Sequence, residues 1–569
     1  MTQSPTKSLR SSGSKSFIDW VKSGEPMIWG NAAAVSISLI AVLGLIVLLA
    51  VRGFGHFWPS DVLSTTLSYQ GESRTLLGEL VEELEVSGEQ LSDAGIELQG
   101  EGPFFKRFLM KQGNRDFLGN DFLWLIDEQL SQKSYPENAM TIERLEWGNF
   151  YGYLQTVFED GTVVGDVRED ETAAWAAFQS LIASTTAVRE EIHHLERIEI
   201  GSINYSLERL RLEERSLELD GELSSQEKLR FAEERDQLNA QYKEFQQELY
   251  GLYDSIEKHS YTAALPSGQV VTLPLSKVVR VYQPNKMTVL EKIGMYFEKL
   301  KEFLTAEPRE ANTEGGVFPA IFGTVMMVLL MSVMVTPFGV VAAVYLREYA
   351  KQGIVTRSIR IAVNNLAGVP SIVYGVFGLG FFIYFVGGEL DEVFFNAALP
   401  SPTFGTPGLM WASLTLALLT LPVVIVATEE GLSRIPKSLR EGSLALGATR
   451  AETLWRVVLP MASPAMMTGL ILAVARAAGE VAPLMLVGVV KLAPTLPVDG
   501  NYPFIHLDQK FMHLGFHIYD VGFQSPNVEA ARPLVYATAL LLVAIIALLN
   551  LAAVGLRNRL RERYKSLEN

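Results

Sequence analysis

Residues 441–460 read Glu441-Gly442-Ser443-Leu-Ala-Leu-Gly447, nine further residues, then Val457-Val458-Leu459-Pro460, within a basic loop between two strongly apolar segments. Gly447 supplies a turn that bulkier residues resist, and the small Gly442 and Ser443 let a helix sit close against another surface. Taken alone, the pattern is either an amphipathic loop helix capped by glycine and closed by proline, or a helix shaped to fit a second protein.

The flanking segments set the environment. The 569-residue chain is 48% hydrophobic, more apolar than an ordinary soluble protein, and its apolar residues are clustered. Nearly uncharged stretches at 27–51, 317–345, 361–386, 409–428, 465–490 and 534–556 are each long enough to cross a bilayer as a helix. The first has no small-residue cleavage site after a short apolar core, so it reads as a retained anchor. With six spans, four basic clusters share one side: Lys7, Arg10, Lys15 and Lys22; Arg347, Lys351, Arg357 and Arg360; Arg434, Lys437, Arg440, Arg450 and Arg456; and Arg557, Arg559, Arg561, Arg563 and Lys565. The positive-inside rule makes that side the cytoplasm and places both termini there.

Most of the net charge of −16 lies between the first two spans, which argues against nucleic acid as a partner. With no cysteine, this outside region is held by packing alone, and thiol chemistry is excluded. Residues 60–165 read as a mixed α/β unit with strand-like runs at 104–110, 122–126 and 149–158. A helical region follows at about 170–260. Ala174, Phe178, Leu181, Thr185, Val188, Ile192 and Leu195 alternate four- and three-residue spacings, as in a coiled-coil seam, and Phe231, Leu238, Tyr242, Phe245, Leu249, Leu252 and Ile256 repeat them. Two seams in one chain predict an antiparallel hairpin, turning near Gly201 or near Asp220-Gly221, that is either a rigid spacer or a partner surface. Residues 269–273 and 278–282 read as a strand pair. Val289, Leu290, Ile293, Tyr296, Phe297, Leu300 and Leu304 then share one face of an amphipathic helix at 287–305, lying on the outer membrane surface or packed on the soluble insert.

Arg476 and Glu480 fall near the middle of the fifth apolar stretch, where ionised groups cost about 2.5–3.5 kcal/mol each and so face protein or water. Their spacing puts both on one helix face. They are either a structural tie between helices or an anion path, with the Arg476 donor fork meeting oxyanion oxygens and Glu480 holding it between encounters. Pro337, Gly339, Pro370, Gly375 and Gly378 read as kinks and close contacts, Asn364 and Asn365 as a helix cap, and Glu429 and Glu430 as solvated. No Gly-x-x-x-x-Gly-Lys-Ser/Thr, His-Glu-x-x-His or Gly-x-Ser-x-Gly occurs, so the chain is expected to hold no ATP, metal or cofactor and to catalyse nothing itself.

Residues 441–460 resemble the EAA loop of bacterial ABC importer permeases, with Gly442 and Ser443 in place of its two alanines and Val457 in place of the usual Ile. By that resemblance, two short helices joined at Gly447 dock into a groove on a cytoplasmic ATPase, and Glu441, Gly442, Ser443, Gly447, Leu459 and Pro460 form the coupling loop. Three longer phrases resemble the PstA family of phosphate importer permeases over about 315–556: Gly315 to Thr324, Asn364-Asn365-Leu-Ala-Gly-Val-Pro370-Ser371-Ile-Val-Tyr374-Gly375, and Arg476-Ala-Ala-Gly-Glu480-Val-Ala-Pro483. The insert after the first span is a departure from shorter members, which have only a brief loop there.

The expected fold is mainly α, a six-span helical ABC importer permease with a large α/β and coiled-coil extracytoplasmic insert between spans one and two. Residues 1–26 are a cytoplasmic tail, 27–51 the first span, 52–316 the insert, 317–556 the five-span core with coupling loop 429–463, and 557–569 a cytoplasmic tail. The resemblance implies an inner-membrane subunit of an ATP-driven phosphate importer, with Arg476 and Glu480 on the translocation path. Its implied partners are a homologous second permease, an ATPase dimer, an extracytoplasmic phosphate-binding protein, inorganic phosphate and membrane lipid. The alternatives are a permease for sulfate or molybdate, or a membrane sensor acting through the insert.

Overall fold

The computed structural model describes residues 22–69, 72–93, 103–525 and 528–564; Lys7, Arg10, Lys15 and Lys565 of the basic tails lie outside them. Among the described residues, six helices are long and apolar enough to cross a membrane: Pro26–Gly55, Phe318–Tyr349, Ser371–Phe394, Leu409–Arg434, Arg450–Ala477 and Ala531–Glu562. The third and fifth are displaced from the apolar stretches. Residues 354–366 form a separate amphipathic helix, and the chain breaks before Pro370, because the residue preceding a proline is pushed out of the α region. Asn364 and Asn365 are therefore exposed in the last turns of that helix and cap nothing. The fifth span starts at Arg450 and stops at Ala477, so the apolar residues after it, broken by Gly479 and Pro483, are not helical spanning residues.

The insert contains two antiparallel sheets. β1 (Val62–Tyr69), β2 (Glu72–Ser87), β3 (Phe104–Lys111), β4 (Phe122–Ile126) and β5 (Leu130–Ser134) run in the order β4-β3-β2-β1-β5 around Leu63, Leu76, Met110 and Leu125. β6 (Met140–Arg144), β7 (Phe150–Glu159), β8 (Thr162–Asp166), β9 (Ser260–Ala264), β10 (Val270–Pro274) and β11 (Val278–Tyr282) form the second, in the order β10-β9-β7-β6-β11 with β8 on β7. The expected α/β unit ending near 165 is thus mostly strand, and its second sheet is completed by strands that follow the helical region. The expected pair 269–273 and 278–282 does not form. β10 pairs with β9 and β11 with β6, at opposite edges, which leaves fewer backbone groups unpaired.

α1 (Glu171–His194) is capped by the Asp170 carboxylate, which accepts from the Thr172 and Ala173 amides. Its Phe178, Leu181 and Ile182 bury themselves against Val157, Tyr261 and Val278 of the second sheet. The first half of the expected seam therefore covers a sheet, since a sheet face this apolar must be covered, and α1 also touches the helix that returns from the hairpin turn. A π turn (Leu195–Ile200) leads into α2 (Gly201–Asp220), the chain reverses at Gly221, and α3 (Ser225–Glu257) returns antiparallel from a Ser224–Glu227 capping box. Phe231 and Ile256 of the second seam are buried and the residues between them are half-buried or exposed. α2 also leans on the permease: it packs on Asn396–Ala398, and the Tyr205 hydroxyl donates to the Tyr502 carbonyl.

α4 (Val289–Thr305) is packed on one face and bare on the other. Lys292 pairs with Asp61, Lys299 with Glu143 at 2.7 Å, and Glu302 with Arg280 at 2.9 Å and Arg309 at 2.8 Å. Val289, Leu290 and Phe297 point away from these contacts, Leu290 being 80% exposed. Tyr296 and Leu300, expected on that same face, pack instead around Phe57, Phe303 and the last span. The permease core gathers Met331, Trp411, Leu416, Val424, Ala473 and Val487. The apolar window of the fourth span is 67% buried inside the chain and that of the first 0%, so the first span offers its sides to lipid or to another subunit.

Candidate coupling and translocation sites

The loop helix Lys437–Ala445 ends at Leu446, and Gly447 reverses the chain at φ +90°. Thr449 then starts the next helix through a capping box with Glu452, whose Oε2 accepts from the Thr449 amide at 2.9 Å. That helix is the start of the fifth span and runs on through a π turn (Leu454–Val458) to Ala477. The second helix of the loop is therefore not short, and Pro460 closes nothing. It lies inside a continuous helix, where the preceding π turn accommodates its missing N–H.

The two helices are tied to each other and to the spans. Ser443 Oγ lies 2.9 Å from Thr453 Oγ1. Arg440 Nη2 donates to Glu348 Oε1 and to the Leu432 carbonyl, each at 2.9 Å. Arg360 Nε donates to Glu429 Oε1 at 3.1 Å, so Glu429 is paired, whereas Glu430 makes only an exposed 3.7 Å contact with Arg434. Leu459 packs beside Leu432, Leu454 and Val458. Glu441 and Gly442 face outward, and no atom stands within 4 Å of a Cβ placed on Gly442. Two residues not singled out in the sequence are also bare in this loop: Leu446, 91% exposed, and Trp455, 71% exposed. Their position beside a glycine turn in a basic loop was the available signal.

Arg476 Nε lies 3.6 Å from Glu480 Oε1, with the two side chains 35% and 21% exposed. The pair exists, but at the end of the fifth helix and not at its middle, because the helix stops one residue after Arg476 and Glu480 follows the turn. At that distance the carboxylate engages one edge of a guanidinium that has five N–H donors. No other ion pair involves Arg476 among the described residues. Two of the phrases quoted above pack together here: a Cβ on Gly375 would fall 2.7 Å from Pro483 Cα, so only glycine lets the third span close on the turn after Arg476. Tyr374 completes the corner by donating from its hydroxyl to the Leu366 carbonyl at 2.7 Å.

Residues 335–566, which include the loop and the Arg476–Glu480 pair, match the family model described as binding-protein-dependent transport system inner membrane component. Phosphate transport system permease protein PstA 1 of Mycobacterium tuberculosis (strain CDC 1551 / Oshkosh) is 36% identical over 244 residues, 43% of this chain and 71% of that protein. The chain belongs to the PstA family of ABC importer permeases. It is a multi-pass membrane permease subunit of an ABC importer. A second PstA, from Mycobacterium leprae (strain TN), is 35% identical over 43% of this chain and 71% of its own. The probable PstA of Methanocaldococcus jannaschii is 29% identical over 46% and 82%. Among solved structures, an inward-facing MetNI methionine ABC transporter covers 42% of this chain and 94% of its own at 20% identity and a TM-score of 0.31. A bacterial ABC transporter involved in alginate import covers 46% and 83% at 15% identity, with a TM-score of 0.33. Less than half of this PstA-family chain takes part in each of these matches.

Proposed function

We propose that this permease carries inorganic phosphate inward, pairing with a homologous permease to form the path and drawing energy from a separate cytoplasmic ATPase dimer. The observation that carries the reading is the similarity to PstA proteins across the segment that holds an outward-facing coupling loop and a half-open Arg476–Glu480 pair. Both termini and the loop lie on the cytoplasmic side by the positive-inside rule. ATP binds the partner, since this chain has no P-loop sequence. An extracytoplasmic binding protein delivers the anion, and the α2–α3 arm acts as a coiled-coil spacer leaning on the outer loops.

In this mechanism Glu441, Gly442, Ser443 and Gly447 present the loop helix to one ATPase protomer, and Leu459 and Pro460 pass its movement into the fifth span. Arg440 and Arg360 bind the loop to the neighbouring spans, so closure of the ATPase rocks several helices together. Phosphate oxygens compete with the loosely held Glu480 for the Arg476 fork, and Glu480 takes the guanidinium back as the anion leaves. A tight permanent site would halt transport.

Radiolabelled phosphate uptake, with sulfate and molybdate as controls, tests this in cells lacking the chain. Complementation by wild type but not by Arg476→Gln at equal membrane abundance is the expected result. Uptake of sulfate or molybdate lost in place of phosphate would move the substrate to that oxyanion. Unimpaired transport by Arg476→Gln would remove this residue from the path.

A further inference from the structure

Where the first span meets the insert, the chain lines a half-open cavity of about 710 Å³ that touches neither the 441–460 loop nor Arg476. The first and last spans pack closely beside it: a Cβ on Gly53 would lie 2.9 Å from Ala537 Cα. The lining is layered. Leu48 and Val51 of the first span and Leu534 of the last are apolar. Arg52 and Arg532 sit at the insert-facing ends of the same two helices; Arg52 is exposed, and Arg532 meets only Glu82 at 3.8 Å. Above them the insert contributes Glu79 from β2 and Glu314 from the strand leading to the second span, with Lys111 nearby.

Other charges of the wall are paired, Lys299 with Glu143, Arg309 with Glu302 and Arg115 with Glu310, while Lys111 acts on both Glu79 and Glu314. Glu314 has no ion pair among the described residues, and Glu79 meets the Tyr151 hydroxyl. Desolvation in the cavity raises both carboxyls above the ordinary range although Lys111 acts on each, and among the described residues neither is in ion-pair contact with a cation. α4 flanks this junction through Lys299, Glu302 and Phe303, and Trp58 packs on its Tyr296 at 6.4 Å between ring centroids.

We propose that this cavity is a headgroup site for a zwitterionic aminophospholipid, with its phosphate against Arg52 and Arg532 and its ammonium against Glu79 and Glu314. The layers match the molecule from end to end: acyl chains on Leu48, Val51 and Leu534, then phosphate at the arginines, then a three-donor ammonium at the carboxylates. A quaternary choline cannot donate to those oxygens, an anionic glycerol headgroup brings no cation to them, and free phosphate leaves them unmet. Lipid held here would bind the insert to both spans and to the bilayer at once.

The test uses the full-length chain in detergent, titrated with dioleoyl phosphatidylethanolamine, phosphatidylcholine, phosphatidylglycerol or inorganic phosphate. Bound lipid is counted by native mass spectrometry and the thermal midpoint followed in parallel. Phosphatidylethanolamine should bind about tenfold more tightly than the other two lipids, the scale of one lost charge-assisted hydrogen bond. Glu79→Gln with Glu314→Gln should erase that preference while the lipid-free midpoint holds or rises. Equal binding of ethanolamine and choline lipids, a preference that survives the double variant, or displacement of lipid by inorganic phosphate would each overturn the site. If the double variant does not fold, Arg52→Gln decides, because loss of lipid binding supports the site and unchanged binding refutes it.

Discussion

Gly447 carries the shape of the proposed coupling loop in a single dihedral. Its φ of +90° is one that side-chain-bearing residues adopt at a cost of about 1–2 kcal/mol, and no atom lies within 4 Å of an added Cβ. The penalty for Gly447→Val is therefore backbone strain in an exposed turn and involves no clash with the core. We expect Gly447→Val to reach the membrane at wild-type abundance yet lose transport and stimulation of ATP hydrolysis, both measurable in proteoliposomes with the partner ATPase. Retention of both activities would show that the turn does not set the docking geometry. Gly447 was legible in the sequence because glycine before a capped helix has few other uses, and Arg476 because a charge in an apolar stretch stands out. Trp455 and Leu446 were not, since an apolar residue announces nothing about which side of a helix it faces.

Helices were legible where apolar length and helix ends coincide, as at the second, fourth and sixth spans. They were misplaced where the two disagree. Residues 478–490 are apolar but lie beyond a turn that Gly479 and Pro483 impose, while 450–458 carry Arg450, Glu452 and Arg456 and are nevertheless helical. Charge excluded the true start of the fifth span from an apolar window. The helical arm shows the same limit: a seam spacing says that one face is covered and not by what, so α1 was read toward a partner helix when Phe178 and Leu181 cover a sheet. The two helices that meet at Gly447 also yield a prediction, because each leaves a large apolar side chain bare, Leu446 at the end of the first and Trp455 early in the second. Truncating both to alanine removes little buried area, so the thermal midpoint should shift by the equivalent of about 0.5 kcal/mol or less. Exposed aromatic anchors of this kind dominate docking energy, and capture of the partner ATPase should weaken at least about tenfold. Co-purification with wild-type efficiency would exclude this surface from the contact.

At the scale of the whole molecule, a buried charge network binds the second sheet to α4 and to the link that leads into the second span: Glu143 and Arg280 on the sheet, Lys299 and Glu302 on α4, and Arg309 on the link. Burial alone would raise the Glu143 carboxyl, but Lys299 and Arg280 hold it down at about 2. A depressed carboxyl stabilises the fold above its unfolded pKa near 4.3 and loses that stabilisation as pH falls toward 2, a difference on the order of 3 kcal/mol. Glu79 and Glu314 act with the opposite sign. Their raised carboxyls favour the folded state in acid, and that contribution fades as pH rises through their folded values. The resistance of the full chain to unfolding in detergent should therefore fall steeply on acidification below about pH 4. Glu143→Gln should flatten that acid limb and lower stability at neutral pH, whereas Glu79→Gln should raise the neutral midpoint. An acid limb unchanged in Glu143→Gln would mean that the joint between insert and membrane is held by packing around Phe57 and Phe303, with the charges contributing only orientation.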